Sequence, residues 1–315
     1  MKKILILLFI ILATLFAADR IGMYLFNRFI FSQTLSGENG GSVNFLLQRK
    51  KGAELIIMGS SRAKHHIDPK SLSEIAPENK IYNAGINGTG GLIYNNRLLH
   101  ILLEKGFHPH TIILQLDAYP YFTMPDDKAL AELAQLYPFL EESASLRKYI
   151  DEHGGYAEKI KLFLHSYRYN GKLLNILYNF RRRHAVADNT GFEGLHGSLQ
   201  DSAVQPIPAG LVDPASFPAL KMAALADFAR TCLTNHIRLI VVFPPSYHNG
   251  LFTREGTGAL ADVLHKEGIK DIVDLSDSSR IPFLQQARFW RDATHLNSEG
   301  ARIFSDSLHA VLLQH

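Results

Sequence analysis

The chain is predicted to be an α/β protein whose parallel sheet is covered by helices on both faces. Three observations carry this. Short apolar runs of strand length stop at turn residues: Glu54–Met58 before Gly59, Thr111–Asp117, and Ile237–Phe243 before Pro244-Pro245. Longer segments, such as Leu92–Lys105 and Ser216–Asn235, carry helical apolar spacing. The two kinds alternate, and strands separated by helices pair in parallel and bury both faces.

The N-terminus comes first. Lys2 and Lys3 precede an apolar run from Ile4 to Ala18, broken only by Thr14. As a helix this run covers about 22 Å, short of a bilayer core of about 30 Å. Ile21–Phe31 continues it beyond Asp19-Arg20, two charges able to snorkel at the interface. Bulky Leu15 and Phe16 stand where a signal-peptide cleavage site wants small residues. An uncleaved signal anchor over 1–31 is therefore expected, ahead of a cleaved signal peptide. Either exports the remainder, with Lys2 and Lys3 left on the cytoplasmic side. No cysteine lies near the run, so a lipoprotein anchor is excluded. The one cysteine, Cys232, also excludes an internal disulfide.

Ser32–Ser42, rich in Ser and Gly, reads as a linker, and 32–53 as linker and lead-in to a domain spanning 54–315. In that domain Lys80–Asn83 is a second strand running into a Gly-rich turn. Leu98, Leu99, Leu102 and Leu103 share one face of the helix over 92–105, and Gly106 stops it. Ser216 is placed to cap the helix that follows it, with Pro218 tolerated in the first turn. Ala259–Lys266 is helical, Asp271–Leu275 a fifth strand, and Glu299–Leu313 a closing amphipathic helix. The stretch of about 124–214 fits the alternation poorly. It is aromatic-rich, contains Arg181-Arg182-Arg183, and reads as a helical insertion over the active edge of the sheet.

Several functions are disfavoured. With 33 basic and 30 acidic residues the net charge is +3, too small to argue for nucleic acid. There is no Walker A element, no H-E-x-x-H and no C-x-x-C. The Gly85–Gly91 segment lacks G-x-G-x-x-G spacing, and no G-x-S-x-G elbow occurs.

A split constellation remains. Gly59-Ser60-Ser61-Arg62 follows the first strand, where a serine either caps the next helix or projects its hydroxyl into the crevice beyond the strand ends. Asn83-Ala84-Gly85-Ile86-Asn87-Gly88 follows the second strand. Glycine there is either a plain turn or lets the backbone offer an N–H to a ligand. Asp292-Ala293-Thr294-His295 precedes the last helix. An Asp three residues before a His on a tight loop can fix the imidazole tautomer and stabilise the imidazolium.

In this order the three blocks resemble the SGNH/GDSL hydrolase superfamily, over Glu54 to the C-terminus with a gap at the central insertion. The resemblance implies a flavodoxin-like three-layer α/β/α fold. Ser61 matches the nucleophile, Asp292 and His295 the D-x-x-H pair, and Gly88 the backbone oxyanion donor. The text GSSRAKHH with NAG-x-x-G also looks like a membrane-anchored bacterial branch met around cell-surface polysaccharides. The family's third-block asparagine is missing, since the third strand ends Asp117-Ala118-Tyr119-Pro120. Tyr119, Asn83 or Asn87 would have to replace its side-chain donor. The implied activity is that of a cofactor-independent, metal-free serine esterase or O-acyltransferase acting on an ester or glycan substrate, such as O-acetyl groups of an envelope polysaccharide. A transferase would need an acyl donor delivered by an integral-membrane partner. The alternative from another class is a non-catalytic binding or assembly subunit in polysaccharide export. His65-His66 read as ordinary packing beside the serine, and Phe289 and Trp290 as buried anchors of the Asp292–His295 loop.

Overall fold

The computed structural model describes residues 2–31, 41–49, 52–87, 91–117, 122, 130–169, 190–199, 213–247 and 254–314. In chain order the elements are α1 (Lys2–Phe31), α2 (Gly41–Arg49), β1 (Leu55–Met58), α3 (Ser61–His66), β2 (Ile81–Asn83), α4 (Leu92–Glu104), β3 (Thr111–Gln115), α5 (Ala144–His153), α6 (Tyr156–Phe163), α7 (Ala219–Thr234), β4 (Arg238–Phe243), α8 (Arg254–Lys266), β5 (Ile272–Asp274) and α9 (Ser298–Leu312). The chain divides into two compact units. One is Met1–Gln48 with Ala134–Ala185, the other Arg49–Leu133 with Val186–His315.

In the first unit, α1 is a single helix through Asp19-Arg20, and its Lys2–Arg28 stretch is long and apolar enough to cross a membrane. Asp19 and Arg20 do not simply reach for an interface: they bind protein. The Asp19 carboxylate accepts the N–H groups of His165 at 2.9 Å and Ser166 at 2.8 Å. Arg20 donates to the Phe163 carbonyl at 2.7 Å and pairs with His165. Further along α1, Asn27 accepts the Tyr169 hydroxyl at 2.5 Å, and Met23 and Phe26 pack against the Tyr169 ring. α2 begins inside the expected linker and buries Val43, Phe45 and Leu46.

The second unit holds a five-stranded, all-parallel sheet in the order β2-β1-β3-β4-β5. Its strands sit within a residue or two of the runs expected for them, the central β1, β3 and β4 because their runs are mostly apolar and stop at turn or polar residues. Leu55, Ile57, Ile113, Ile240, Val242 and Val273 turn to one face. There they share a core with Ala63 of α3 and Ala301, Phe304 and Leu308 of α9. Strand alternation sends Ile56, Met58, Ile112, Leu114 and Val241 to the opposite face, where all are fully buried. α7 packs against β4 and against both α4 and α8. Helices α4, α8 and α9 match their expected segments, α8 starting earlier. Ser216 does not cap α7. Pro218 occupies that position without a side-chain bond, and Ser216 closes a 3-10 turn headed by Asp213, whose carboxylate accepts the Ala215 N–H at 2.9 Å.

Successive connections leave β1 for β2 on one side and return to β3 on the other, so the order reverses at β1. In open parallel sheets, ligands bind beyond the carboxyl ends of the strands at such a reversal.

Candidate active site

The turn after β1 is built around Gly59. Its φ of +149° and the 2.8 Å that would separate an added Cβ from Ala63 Cβ and Gln115 Oε1 leave no room for a side chain. Ser60 follows as the N-cap of α3. Its Oγ accepts the Arg62 N–H at 3.0 Å and donates to Gln115 Oε1 at 2.8 Å. The capping role therefore falls on Ser60 and leaves Ser61, the first residue of the helix, free of it.

Ser61 Oγ lies 2.8 Å from His295 Nε2. The other ring nitrogen, Nδ1, stands 3.0 Å from both carboxylate oxygens of Asp292. A hydroxyl donating to Nε2 and an Nδ1–H donating to Asp292 define one tautomer, suited to a general base. Asp292 Oδ1 also accepts the Thr294 and His295 N–H groups and the Thr294 hydroxyl, each at 2.9 Å. Burial pushes the Asp292 carboxyl up, but the His295 and Thr294 hydrogen bonds outweigh it and hold the group well below the ordinary carboxylate range.

The loop carrying this pair is closed at its base. Trp290 and Leu296 form an antiparallel bridge, and Arg291 N–H donates to the His295 carbonyl at 2.7 Å. Trp290 is fully buried, its Nε1–H donating to the Leu284 carbonyl at 2.6 Å, and Phe289 is buried beside it. Residues 190–199 line the same region: the Asn83 N–H donates to Thr190 O, Leu199 N–H to Trp290 O and Ser298 N–H to Leu195 O, at 2.7–2.8 Å.

His65 and His66 are both buried packing groups. His65 Nδ1 meets the Glu193 carbonyl at 2.5 Å, and its ring stands edge-on to that of His295. His66 Nε2 accepts the Leu296 N–H at 3.0 Å, and burial drives its pKa well below the ordinary histidine value.

The expected oxyanion donors are less concentrated. Asn83 gives its side-chain N–H groups to the carbonyls of Ala63 and Ile67, both at 2.8 Å, while its Oδ1 accepts the Gly85 N–H at 2.9 Å. It clamps α3 to the turn after β2. Asn87 is exposed. Gly88 and Tyr119 lie outside the described residues. The Ser61 N–H has no partner among the described residues. Among those residues, no three His, Cys, Asp or Glu side chains gather as metal ligands would.

Beneath the serine runs a buried polar network that the linear text does not announce. Arg62 pairs with Asp117 and donates to the carbonyls of Pro244, at 3.1 Å, and Pro245. Gln115 donates to Asp117 Oδ2 at 2.7 Å and accepts the N–H groups of Ser60 and Ala63. The network ties the ends of β1, β3 and β4 together under the Gly59–Ser61 turn. Its signals were the arginine directly after the serines and the charge closing a buried strand.

No family model matches the chain, and no curated protein matches it.

Proposed function

We propose that the chain is a serine hydrolase of the SGNH type, an esterase or O-acyltransferase acting on esters such as the O-acetyl groups of a cell-envelope polysaccharide. The observation that carries this is the 2.8 Å approach of Ser61 Oγ to His295 Nε2, with Asp292 on the far nitrogen. The strand order 2-1-3-4-5 supports the flavodoxin-like form of the fold. In this reading α1 anchors the protein in the membrane and the catalytic unit faces away from the cytoplasm.

Ser61 Oγ attacks the ester carbonyl while its proton passes to His295 Nε2. The charged imidazole is stabilised by Asp292. The Ser61 N–H stands ready for the developing oxyanion, and the Gly88 N–H is its expected companion. Collapse breaks the ester C–O bond, and His295 returns the proton to the departing alkoxide. Water or a sugar hydroxyl then attacks the acyl-Ser61 carbonyl and gives its proton to His295; the C–Oγ bond breaks, His295 returns that proton to Ser61 Oγ, and the acid or transferred ester leaves.

The rival reading, a non-catalytic binding subunit of the same fold, is favoured by the commitment of the Asn83 amide to backbone carbonyls. A fluorophosphonate probe on the detergent-solubilised full chain decides between them. Labelling of the native protein and none of Ser61→Ala is expected. Equal labelling of both, or of neither, ends the hydrolase reading. Acetate release against acetyl transfer to a glycan acceptor then separates esterase from transferase.

A further inference from the structure

α6 leaves its apolar side uncovered. None of its residues is buried. Tyr156, Ile160, Phe163 and Leu164 are all exposed, Tyr156 at 91% and Phe163 at 68%. At helical spacing Tyr156, Ile160 and Phe163 share one side, with Leu164 following at the helix end and exposed Lys159 at its edge, whereas Glu158 and Lys161, 3.6 Å apart and largely covered by protein, fall on the other, Lys161 over the Tyr137 ring. The stripe is joined to α1. The Phe163 ring stands 6.4 Å from that of Phe16, and the Arg20 guanidinium lies 4.7 Å over the Phe16 ring. Arg20 also holds the Phe163 carbonyl, and Asp19 the N–H groups of His165 and Ser166. One end of α6 is thereby fixed at the level of residues 16–20 of α1, whose large apolar side chains are exposed from Ile4 through Phe16.

The length of α1 sets the depth. A bilayer core of about 30 Å takes about 20 helical residues. Counted from Ile4, that length ends near residue 23 and passes Asp19 and Arg20. Both side chains would then meet hydrocarbon unless protein covers them. Residues 163–166 provide that cover.

We propose that α6 is an interfacial helix, with Tyr156, Ile160, Phe163 and Leu164 dipped into the lipid beside α1. This rests on reading α1 as a membrane span. The helix turns its apolar side outward and its Glu158-Lys161 pair toward the protein, so beside a span that apolar side meets the headgroup and acyl boundary, the level at which tyrosine is enriched. The lipid contact would fix the height and rotation of the unit that carries α1, where a bare span would leave both free.

Depth-resolved quenching of the full chain in phosphatidylcholine vesicles tests this. Single cysteines at Leu12, Ile160 or Lys148, whose side chain is 75% exposed on α5, carry an environment-sensitive fluorophore. The native Cys232 stays unlabelled, since it is fully buried and burial pushes its thiol up to about 12. Shallow nitroxide lipids are expected to remove at least about half the fluorescence at Ile160 and deep ones that at Leu12, with Lys148 unaffected. Quenching at Leu12 with Ile160 behaving like Lys148 would overturn the interfacial helix and leave the anchor standing. No quenching at Leu12 would overturn the anchor, and this inference with it.

Discussion

His66 Nε2 accepts the backbone N–H of Leu296 at 3.0 Å. The last residue of α3 thus holds the residue that directly follows His295, so the helix that begins with Ser61 also fixes the loop that brings His295 to it. The bond needs a neutral ring, because an imidazolium has no lone pair to offer. Full burial and the nearby Arg62 and His295 groups keep that ring uncharged.

Replacing His66 by Phe should leave the Leu296 N–H buried without an acceptor, at a cost of about 1–3 kcal/mol. The pH response carries the sign. His66 titrates well below 6.5 when folded and near 6.5 when unfolded, so below pH 6.5 the unfolded chain binds more protons. This contribution to stability should be intact above pH 6.5 and fall progressively below it, until the folded pKa is passed. Urea titrations across that range should show a steeper acid loss in the native protein than in His66→Phe. Parallel curves would remove His66 from the balance.

Under the proposed mechanism, Asp292→Asn should weaken His295 as a base without unfolding the loop. An amide can still accept the Thr294 and His295 N–H groups but offers no charge to the imidazolium. The fluorophosphonate labelling rate should fall on the order of a hundredfold to ten-thousandfold. Since the native carboxyl is held well below 3.8, its protonation should add no acid limb to labelling above that pH. A variant that labels at the native rate would remove Asp292 from the mechanism.

Much of this was legible in the linear text, and the exceptions share a cause. The strands around Ile56, Ile113 and Val241 could be read because burial on both faces demands an unbroken apolar run. Asp292 and His295 could be paired because they lie three residues apart on one loop, whereas Ser61, far earlier in the chain, is joined to them only by the order of the blocks and a family resemblance. α2 was hidden, since Asn44 and Gln48 interrupt its apolar residues and it starts inside a Gly- and Ser-rich stretch. The work of Asn83 was hidden too: its acceptors are the carbonyls of Ala63 and Ile67, which no side-chain pattern encodes. Arg62 and Asp117 are ordinary charges 55 residues apart until β1 and β3 become neighbours.

That pair makes its own prediction. Both side chains are nearly inaccessible, at 6% and 2% exposure. Arg62→Met should strand a buried carboxylate and two proline carbonyls, costing about 3–5 kcal/mol. Arg62→Lys should recover part of the loss, because one ammonium can meet Asp117 but cannot also fork to Pro244 and Pro245. Denaturant midpoints of the native protein and the two variants measure this, and an Arg62→Lys midpoint equal to the native one would show that the guanidinium fork adds nothing.

Three helices in the sheet unit end with the same backbone closure. After α4, Phe107 N–H donates to Leu102 O and Gly106 N–H to Leu103 O. After α8, Ile269 N–H donates to Leu264 O and Gly268 N–H to His265 O. After α7, Ile237 N–H donates to Cys232 O and His236 N–H to Leu233 O. Each closure puts one residue in the left-handed region. Gly106 and Gly268 enter it at φ of +70° and +88° without a Cβ, whereas His236 enters it at +57° with one. Such a conformation costs an L-residue about 1–2 kcal/mol, part of it returned by the greater freedom of glycine in the unfolded chain. His236→Gly should therefore raise stability by about 0.5–1 kcal/mol, with fluorophosphonate labelling unchanged. A lower thermal midpoint in the variant would mean that the imidazole of His236 makes a contact worth more than the strain of its backbone.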